Sequence, residues 1–288
     1  MLSAQQIDQY RQQGFVVVRN VIEAVQLKPL SDELDGWIEE SRSHSSNYGD
    51  TPDGKARFDL EAGHSAELPR LRRVSNPVDI SNAYQDVLWD GPIVDAVVDL
   101  VGPDVKFHHC KLNIKLPSME TRVDYHQDHA FDPHTNDNSA TALLMLDDMT
   151  EDNGCLRVVP KSHYERYSHY QDDKFTGAID PKLVPDLERR SVAITGKAGD
   201  LCLLHIRTVH GGPPNHSNKP RRLLICDYRA ADAFWLKPPL VLSVYSGRVI
   251  RGKPSRVARL VADSIELPPS YKEDSFFSVQ GQKSVDEH

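Results

Sequence analysis

The sequence lacks long apolar runs, and this absence limits where the protein can act. Apolar stretches such as 16–18 and 201–204 fall far short of the roughly 20 residues that a membrane-spanning helix requires. The first ten residues have neither a basic flank nor an apolar segment, so they do not resemble a secretory signal. We therefore expect a cytoplasmic protein with no membrane contact.

Cysteine is also scarce. Three of the four cysteines lie in apolar, strand-like runs, and all four are far apart in the sequence: Cys110, Cys155, Cys202 and Cys226. A disulfide framework or a zinc cluster needs closely and regularly spaced cysteines. The spacing therefore favours reduced thiols in the core of an intracellular protein.

Positive charge is in deficit, with 34 basic against 42 acidic residues and a net charge of −8. Such a charge repels nucleic acid and anionic membranes, so we expect a small-molecule partner and no nucleic-acid partner. The 288 residues are 39% hydrophobic and 26% charged, which is typical of a globular protein and excludes disorder for most of the chain. A homo-oligomer is compatible with this composition.

Helices are predicted in the N-terminal third. Ser3 and Gln6 form a capping-box pattern at the start of the first helix, and Gly14 supplies its end. Residues 23–41 have apolar positions with a period near 3.6, and residues 82–101 also favour a helix.

Between these helices, residues 42–69 are rich in Ser, Gly, Asp and Pro. We predict a long loop there, and loops of that length in compact domains are usually functional lids or disordered. The basic residues Arg70, Arg72 and Arg73 follow it. They form either a solvated face or a contact with an anionic substrate.

From residue 105 onward the pattern changes to short β-rich runs separated by turn sequences, at 105–116, 141–146, 155–159, 192–195, 201–205 and 222–228. Such a series favours a sandwich or jelly roll with the N-terminal helices packed outside it. We expect one domain over residues 1–288, composed of a helical flank and loop (1–104), a β core (105–233) and a C-terminal extension (234–288).

Candidate metal ligands lie in this β core. In a strand, residues i and i+2 face the same side, so His126 and Asp128 can bind one metal ion together. This His-x-Asp pattern alone is weak evidence. A third candidate, His210, follows the strand at 201–205, and two histidines with one carboxylate form the facial set that binds non-haem Fe(II).

The strand after His210 begins with Arg221 and Arg222. A guanidinium there can bind a remote carboxylate through two hydrogen bonds, although alternation allows only one of the two to point inward. His108 and His109 also suggest a metal site, but alternation places them on opposite faces and favours a structural role.

Taken together, these patterns resemble the phytanoyl-CoA dioxygenase family of Fe(II)- and 2-oxoglutarate-dependent oxygenases. The similarity runs in order from about residue 3 to 233, and its motifs lie at 125–128, 146–156, 159–163, 199–200, 210–211, 215–217, 221–222 and 228–233. One departure is Lys161, which stands where glycine is common in the family.

The resemblance implies a double-stranded β-helix, a cupin-like jelly roll, with His126, Asp128 and His210 as iron ligands. It implies that Arg221 binds the distal carboxylate of 2-oxoglutarate and that Asn113 also contacts this cosubstrate. The implied reaction consumes O2 and 2-oxoglutarate, releases succinate and CO2, and hydroxylates a small organic molecule. A non-oxidative cupin-like hydrolase or isomerase, which does not need Arg221, and a jelly-roll binding module remain the alternatives.

Overall fold

The computed structural model describes residues 1–117, 122–269 and 280. Its helices are α1 (Ala4–Gln13), α2 (Ala24–Ser41), α3 (Asn82–Leu88), α4 (Pro92–Val101) and α5 (Val184–Arg190). The first eight strands are β1 (Phe15–Val18), β2 (Tyr48–Asp50), β3 (Ala56–Leu60), β4 (Leu71–Ser75), β5 (Val105–Lys115), β6 (Val123–His126), β7 (Ser139–Met145) and β8 (Leu156–Val158). The others are β9 (Tyr170–Gln171), β10 (Lys174–Phe175), β11 (Val192–Ile194), β12 (Leu201–Leu204), β13 (His210–Gly212), β14 (Arg221–Ala230) and β15 (Val249–Arg251).

Two antiparallel sheets form the body of the molecule. The large sheet has the order β1-β12-β7-β14-β5-β4-β3-β2, with β15 also paired to β5, and the small sheet has the order β11-β8-β13-β6. One face of the small sheet and one face of the large sheet enclose a cavity, so the predicted jelly roll with a double-stranded β-helix is confirmed.

The other face of the large sheet packs on the N-terminal helices. Because side chains alternate along a strand, Leu112, Leu144 and Leu224 join the helix-side core, whereas Leu143 and Leu223 face the small sheet. The helices therefore support the large sheet from outside and leave its inner face free to line a site.

The predicted start and end of the first helix are confirmed. The Ser3 hydroxyl accepts a hydrogen bond from the Gln6 backbone N–H, and the Gln6 side chain accepts one from the Ser3 N–H. Gly14 ends the helix at φ +85°, a left-handed conformation that favours glycine. All four cysteines are buried and free, as expected.

The prediction of a long loop at 42–69 is wrong. Strands β2 and β3 lie in this segment and extend the large sheet through β4 to β5. Polar side chains here make specific partners: Arg57 donates to backbone carbonyls of Ser75 and Asn76 and pairs with Asp79 at 3.3 Å. The polar residues of 42–69, which indicated a loop, thus lie partly in strands, where a charged side chain such as Arg57 is paired.

The prediction that side-chain alternation places His108 and His109 on opposite faces of their strand is also wrong. A β-bulge between Asp227 and Tyr228 shifts the register of β14 against β5 at this point. As a result the two imidazole rings lie 4.8 Å apart between centroids, instead of on opposite faces. No helix among the described residues is long and apolar enough to cross a membrane.

Candidate active site

The cavity between the two sheets has a volume of about 70 Å³. The large sheet contributes Lys111, Asn113, Lys115 and Arg221 to its wall, and the small sheet contributes His126 and His210. Polar groups therefore converge from both sheets on one enclosed space, which is the usual form of a small-molecule site.

The two histidines come from adjacent strands. His126 of β6 and His210 of β13 are direct partners in the antiparallel register, and their rings lie 4.2 Å apart between centroids. Gly211 permits this close approach, since a Cβ at this position would lie 2.8 Å from the Val123 carbonyl oxygen.

Each imidazole is oriented by the same hydrogen bond. The Nδ1 of His126 lies 2.8 Å from the Asp124 carbonyl oxygen, and the Nδ1 of His210 lies 2.9 Å from the Thr208 carbonyl oxygen. A donor Nδ1–H leaves Nε2 as the lone-pair nitrogen, and this is the arrangement that metal-binding histidines show. Burial, together with the neighbouring His126, lowers the pKa of His210 to about 4, so this ring is neutral at pH 7.

Asp128 completes the group from a short 3-10 turn that follows β6, rather than from a strand. Its Oδ1 lies 3.5 Å from the Nε2 of His126 and 3.7 Å from the Nε2 of His210. Burial alone would raise the pKa of this carboxyl, but the interactions with His210, His126 and Lys111 outweigh burial and lower the pKa to about 2. The carboxylate is therefore charged and ready to bind a cation.

The residue between the two ligands of the His-x-Asp motif holds the turn in place. The backbone N–H of Gln127 donates to the Nε2 of His169 at 2.9 Å, and its side-chain amide donates to the Glu165 carbonyl oxygen at 2.9 Å. His126, Asp128 and His210 offer ligand atoms within 4.8 Å of one another. This nitrogen and oxygen set, without thiolate, suits Fe(II).

Arg221 and Lys115 form a positively charged end of the cavity. They are cross-strand partners on β14 and β5. The guanidinium of Arg221 is buried, donates to the Gly154 carbonyl oxygen at 3.3 Å, and leaves its Nε without a hydrogen-bond partner in the described part of the chain. Burial and the adjacent Arg221 lower the pKa of Lys115 to about 7. The ammonium of Lys115 donates to the Pro213 carbonyl oxygen. A bound carboxylate would supply the missing partner of the Arg221 Nε and a negative charge for both cations.

Arg222 lies on the opposite face of β14. Its side chain donates to both carboxylate oxygens of Asp147, at 2.9 and 2.7 Å, and to Asp35 at 3.1 Å. The loop between His210 and these arginines is fixed by Asn215, whose amide donates to the Lys115 carbonyl oxygen at 2.9 Å.

Two cavity residues were not predicted from the sequence as site residues: Lys111 and Lys115. Lys111, Asn113 and Lys115 alternate with apolar residues along β5, and this pattern was available from the sequence. Polar side chains on one face of an otherwise buried strand indicate a pocket. Arg73 was predicted only as one of three arginines that form a solvated face or contact an anionic substrate. The structure buries it in the cavity wall, beside its cross-strand partner Asn113.

A second buried group of possible metal ligands consists of His108, Asp132 and His134. Here a guanidinium already compensates the carboxylate, since Arg229 Nη2 lies 3.0 Å from Asp132 Oδ2. His108 Nε2 lies 2.5 Å from the same oxygen. This cation makes the group a weaker candidate for metal binding than the group at His126.

Comparison with known proteins identifies the family. The model of the phytanoyl-CoA dioxygenase family matches residues 10–223. The chain belongs to this family. It is 30% identical over 274 residues to a probable alpha-ketoglutarate-dependent hypophosphite dioxygenase of Stutzerimonas stutzeri, covering 92% of each protein. It is 23% identical to a methylphosphonate hydroxylase of Gimesia maris, covering 80% of this chain and 81% of that protein.

The fold of this family member is shared with solved structures. EctD from S. alaskensis, crystallised with 2-oxoglutarate and 5-hydroxyectoine, matches with a TM-score of 0.68 at 21% identity, covering 90% of this chain and 88% of that one. The predicted family, enzyme class and cofactors are confirmed: the protein is a dioxygenase that uses iron and 2-oxoglutarate to hydroxylate a small molecule. The non-oxidative enzyme and the binding module are therefore set aside.

Proposed function

We propose that this dioxygenase binds Fe(II) through His126, Asp128 and His210, binds 2-oxoglutarate through Arg221, Lys115 and Asn113, and hydroxylates a small phosphorus oxyanion. The observation that carries the proposal is the buried Arg221, whose charge has no carboxylate partner among the described residues, in the same cavity as the His/Asp group. Iron bound there supplies the activation of O2 that a hydroxylation requires.

The protein's own part in the reaction is orientation. The Nδ1 hydrogen bonds of the two histidines aim both Nε2 atoms at one point beside Asp128. Arg221 can hold the distal carboxylate of 2-oxoglutarate with two parallel hydrogen bonds, which directs its keto-acid end towards the ligands. Asn113, whose Oδ1 has no hydrogen-bond partner in the described ranges, lies between these two ends of the cavity.

The substrate class is supported by the relatives. One is described as acting on hypophosphite and another on methylphosphonate, and both compounds are small phosphorus oxyanions. Hydroxylation of either one uses one O2, converts 2-oxoglutarate to succinate and CO2, and replaces a P–H or C–H hydrogen by a hydroxyl group. The narrow cavity suits substrates of this size. The cytoplasmic location, the oligomeric state and the absence of a nucleic-acid partner stay predictions.

Turnover tests the substrate class directly. With Fe(II), 2-oxoglutarate and O2, we expect hypophosphite or methylphosphonate to yield succinate and an oxidised phosphorus product in equal amounts, whereas acetate yields neither. Succinate is measured by chromatography and the product by phosphorus NMR. The Asp128→Ala variant is the control for metal-independent oxidation. Turnover of acetate in place of both phosphorus compounds would overturn the assignment.

The pH dependence of cosubstrate binding tests the role of Lys115. The free protein holds the pKa of Lys115 at about 7 because of burial and Arg221, and a bound carboxylate raises it. In the free protein Lys115 is therefore mostly protonated below pH 7 and mostly neutral above it. Above pH 7, Lys115 must take up a proton when 2-oxoglutarate binds. We expect 2-oxoglutarate affinity to fall as the pH rises from 7 to 9.

Anaerobic calorimetry in buffers of different ionisation enthalpy measures this proton uptake. At pH 8.5 we expect up to about one proton per 2-oxoglutarate bound. Lys115→Met is expected to bind 2-oxoglutarate more weakly and to lose the uptake. A variant that retains the same uptake would show that another group titrates.

A further inference from the structure

Two buried or partly buried cations other than Arg221 and Lys115 open into the cavity. Arg73 of β4 is only 2% exposed, and its Nε has no hydrogen-bond partner within residues 1–117, 122–269 and 280. Lys111 of β5 is partly buried. Over the same described ranges, neither side chain forms an ion pair, in contrast to Arg57 and Arg222, which both have carboxylate partners.

Unpaired charge at this depth is costly. Burial lowers the pKa of Arg73 to about 10 and also lowers the pKa of Lys111. A charge removed from water is normally paired or bound to a ligand. With this pKa Arg73 is charged at pH 7, and neither Arg73 nor Lys111 has a carboxylate partner in the described part of the chain, so the two residues point to an anionic ligand.

The position of this pair differs from that of the Arg221 end. Lys111 lies opposite Ile225 on β14, four residues beyond Arg221. At about 3.4 Å per residue this separation along the strand is roughly 14 Å, longer than the five-carbon chain of 2-oxoglutarate. One cosubstrate molecule therefore leaves Lys111 without a carboxylate.

A second, smaller cavity of about 40 Å³ adjoins the pair. Arg73, Lys111 and Asp128 line both cavities, whereas Arg221 and Lys115 line only the first. The second cavity thus lies beyond the metal-binding group, on the side away from the Arg221 end.

Its other acidic groups are already engaged. Asp132 pairs with His108 and Arg229. Asp227 accepts a hydrogen bond from the Thr141 hydroxyl at 2.6 Å and lies 3.1 Å from His109 Nε2. These carboxylates therefore do not neutralise the pair. Apolar residues form the rest of the wall: Phe131, Leu240 and Val241.

We infer that Arg73 and Lys111 form the subsite that binds the anionic oxygens of the substrate and selects phosphorus oxyanions for hydroxylation. This inference rests on the proposed function. The guanidinium fork of Arg73 matches two oxygens on one phosphorus atom, and the ammonium of Lys111 binds as a point charge. The substrate is held on the Asp128 side of the cavity, beside the metal ligands and away from the distal carboxylate of 2-oxoglutarate.

Anaerobic calorimetry tests the subsite without turnover. Methylphosphonate is titrated into protein loaded with Fe(II) and 2-oxoglutarate, and inorganic phosphate is titrated as a second probe. We expect Arg73→Met and Lys111→Met each to weaken binding of methylphosphonate by at least about 10-fold, the loss of one hydrogen bond to a charged group. Arg73→Lys and Lys111→Arg are expected to restore part of the affinity.

Arg72→Met is the matched control. Arg72 is the next residue on β4, but its side chain pairs with Asp59 at 2.8 Å and does not line either cavity. We expect this variant to keep the affinity for methylphosphonate. The affinity for 2-oxoglutarate, measured in the same titrations, is expected to stay unchanged in all three Met variants.

The outcomes separate the subsite from the proposed function. If Arg73→Met and Lys111→Met lose 2-oxoglutarate binding but keep methylphosphonate binding, the assignment of these residues to the substrate is wrong. Turnover of phosphorus compounds that survives both substitutions would also overturn it and leave the proposed function standing. Conversely, methylphosphonate or phosphate binding that depends on Arg73 and Lys111 would support the subsite even if the wild-type enzyme hydroxylates neither phosphorus compound.

Discussion

Replacing His210 by alanine is expected to lower the affinity for Fe(II) by more than about 100-fold, because even groups that only hydrogen-bond to metal ligands contribute about 10–100-fold. The same change at His134 is expected to leave iron binding nearly unchanged. The two histidines are closely matched. Both are buried, and both place Nδ1 2.9 Å from the carbonyl oxygen two residues earlier.

What differs between them is the carboxylate that each one faces. Asp132, beside His134, is paired with Arg229 at 3.0 Å, whereas Asp128 has only the two imidazoles within ion-pair distance among the described residues. A divalent cation therefore meets repulsion in one group and uncompensated negative charge in the other. Asp128→Ala and His126→Ala are expected to behave like His210→Ala.

Anaerobic titration with Fe(II), with metal analysis of the desalted protein, measures the affinity and the stoichiometry. We expect one iron per chain in wild type and in His134→Ala. Thermal unfolding of each metal-free variant checks that the substitution has not simply unfolded the protein. Iron retained by His210→Ala but lost from His134→Ala would move the metal site to the second group.

Arg221→Met is expected to weaken 2-oxoglutarate binding by about 2–5 kcal/mol, that is by roughly 30-fold or more, as for loss of one partner from a buried charge pair. Arg222→Met is the control on the next residue of β14. Its guanidinium already pairs with Asp147 on the opposite face, so its loss affects stability and leaves cosubstrate affinity unchanged.

Calorimetry with 2-oxoglutarate under anaerobic conditions measures both variants in the presence of Fe(II). Arg221→Lys is expected to retain part of the affinity, because an ammonium keeps the charge but loses the paired hydrogen bonds. A larger loss at Arg222 than at Arg221 would show that the inward register has been assigned wrongly.

Much of this arrangement was accessible from the sequence. Short β-rich runs with intervening turns predicted a sandwich or jelly roll, and the capping pattern at Ser3 predicted the first helix. The ordered motifs predicted the family. These features succeed because they depend on local periodicity or on residues a few positions apart.

Other features depend on pairing between distant strands and were missed or wrong. The segment 42–69 has the composition of a loop. Its strand β3 nevertheless joins the large sheet, because it pairs with β4. The bulge opposite His108 and His109 depends on the register of β14, which no local pattern reveals. The sequence offered Arg70, Arg72 and Arg73 equally as contacts with an anionic substrate, and the pairing of Arg73 with Asn113 decides that Arg73 lines the cavity.

The direct pairing of His126 with His210 has a consequence for how the chain folds. Side chains alternate between the faces of a sheet, so a slip of one residue between β6 and β13 turns one of the two imidazoles away from Asp128. Only the native alignment of these short strands presents all three ligands to a metal ion. With these residues as ligands, iron binding stabilises the native register of β6 and β13. A register slipped by one residue lacks one ligand and does not gain this stabilisation.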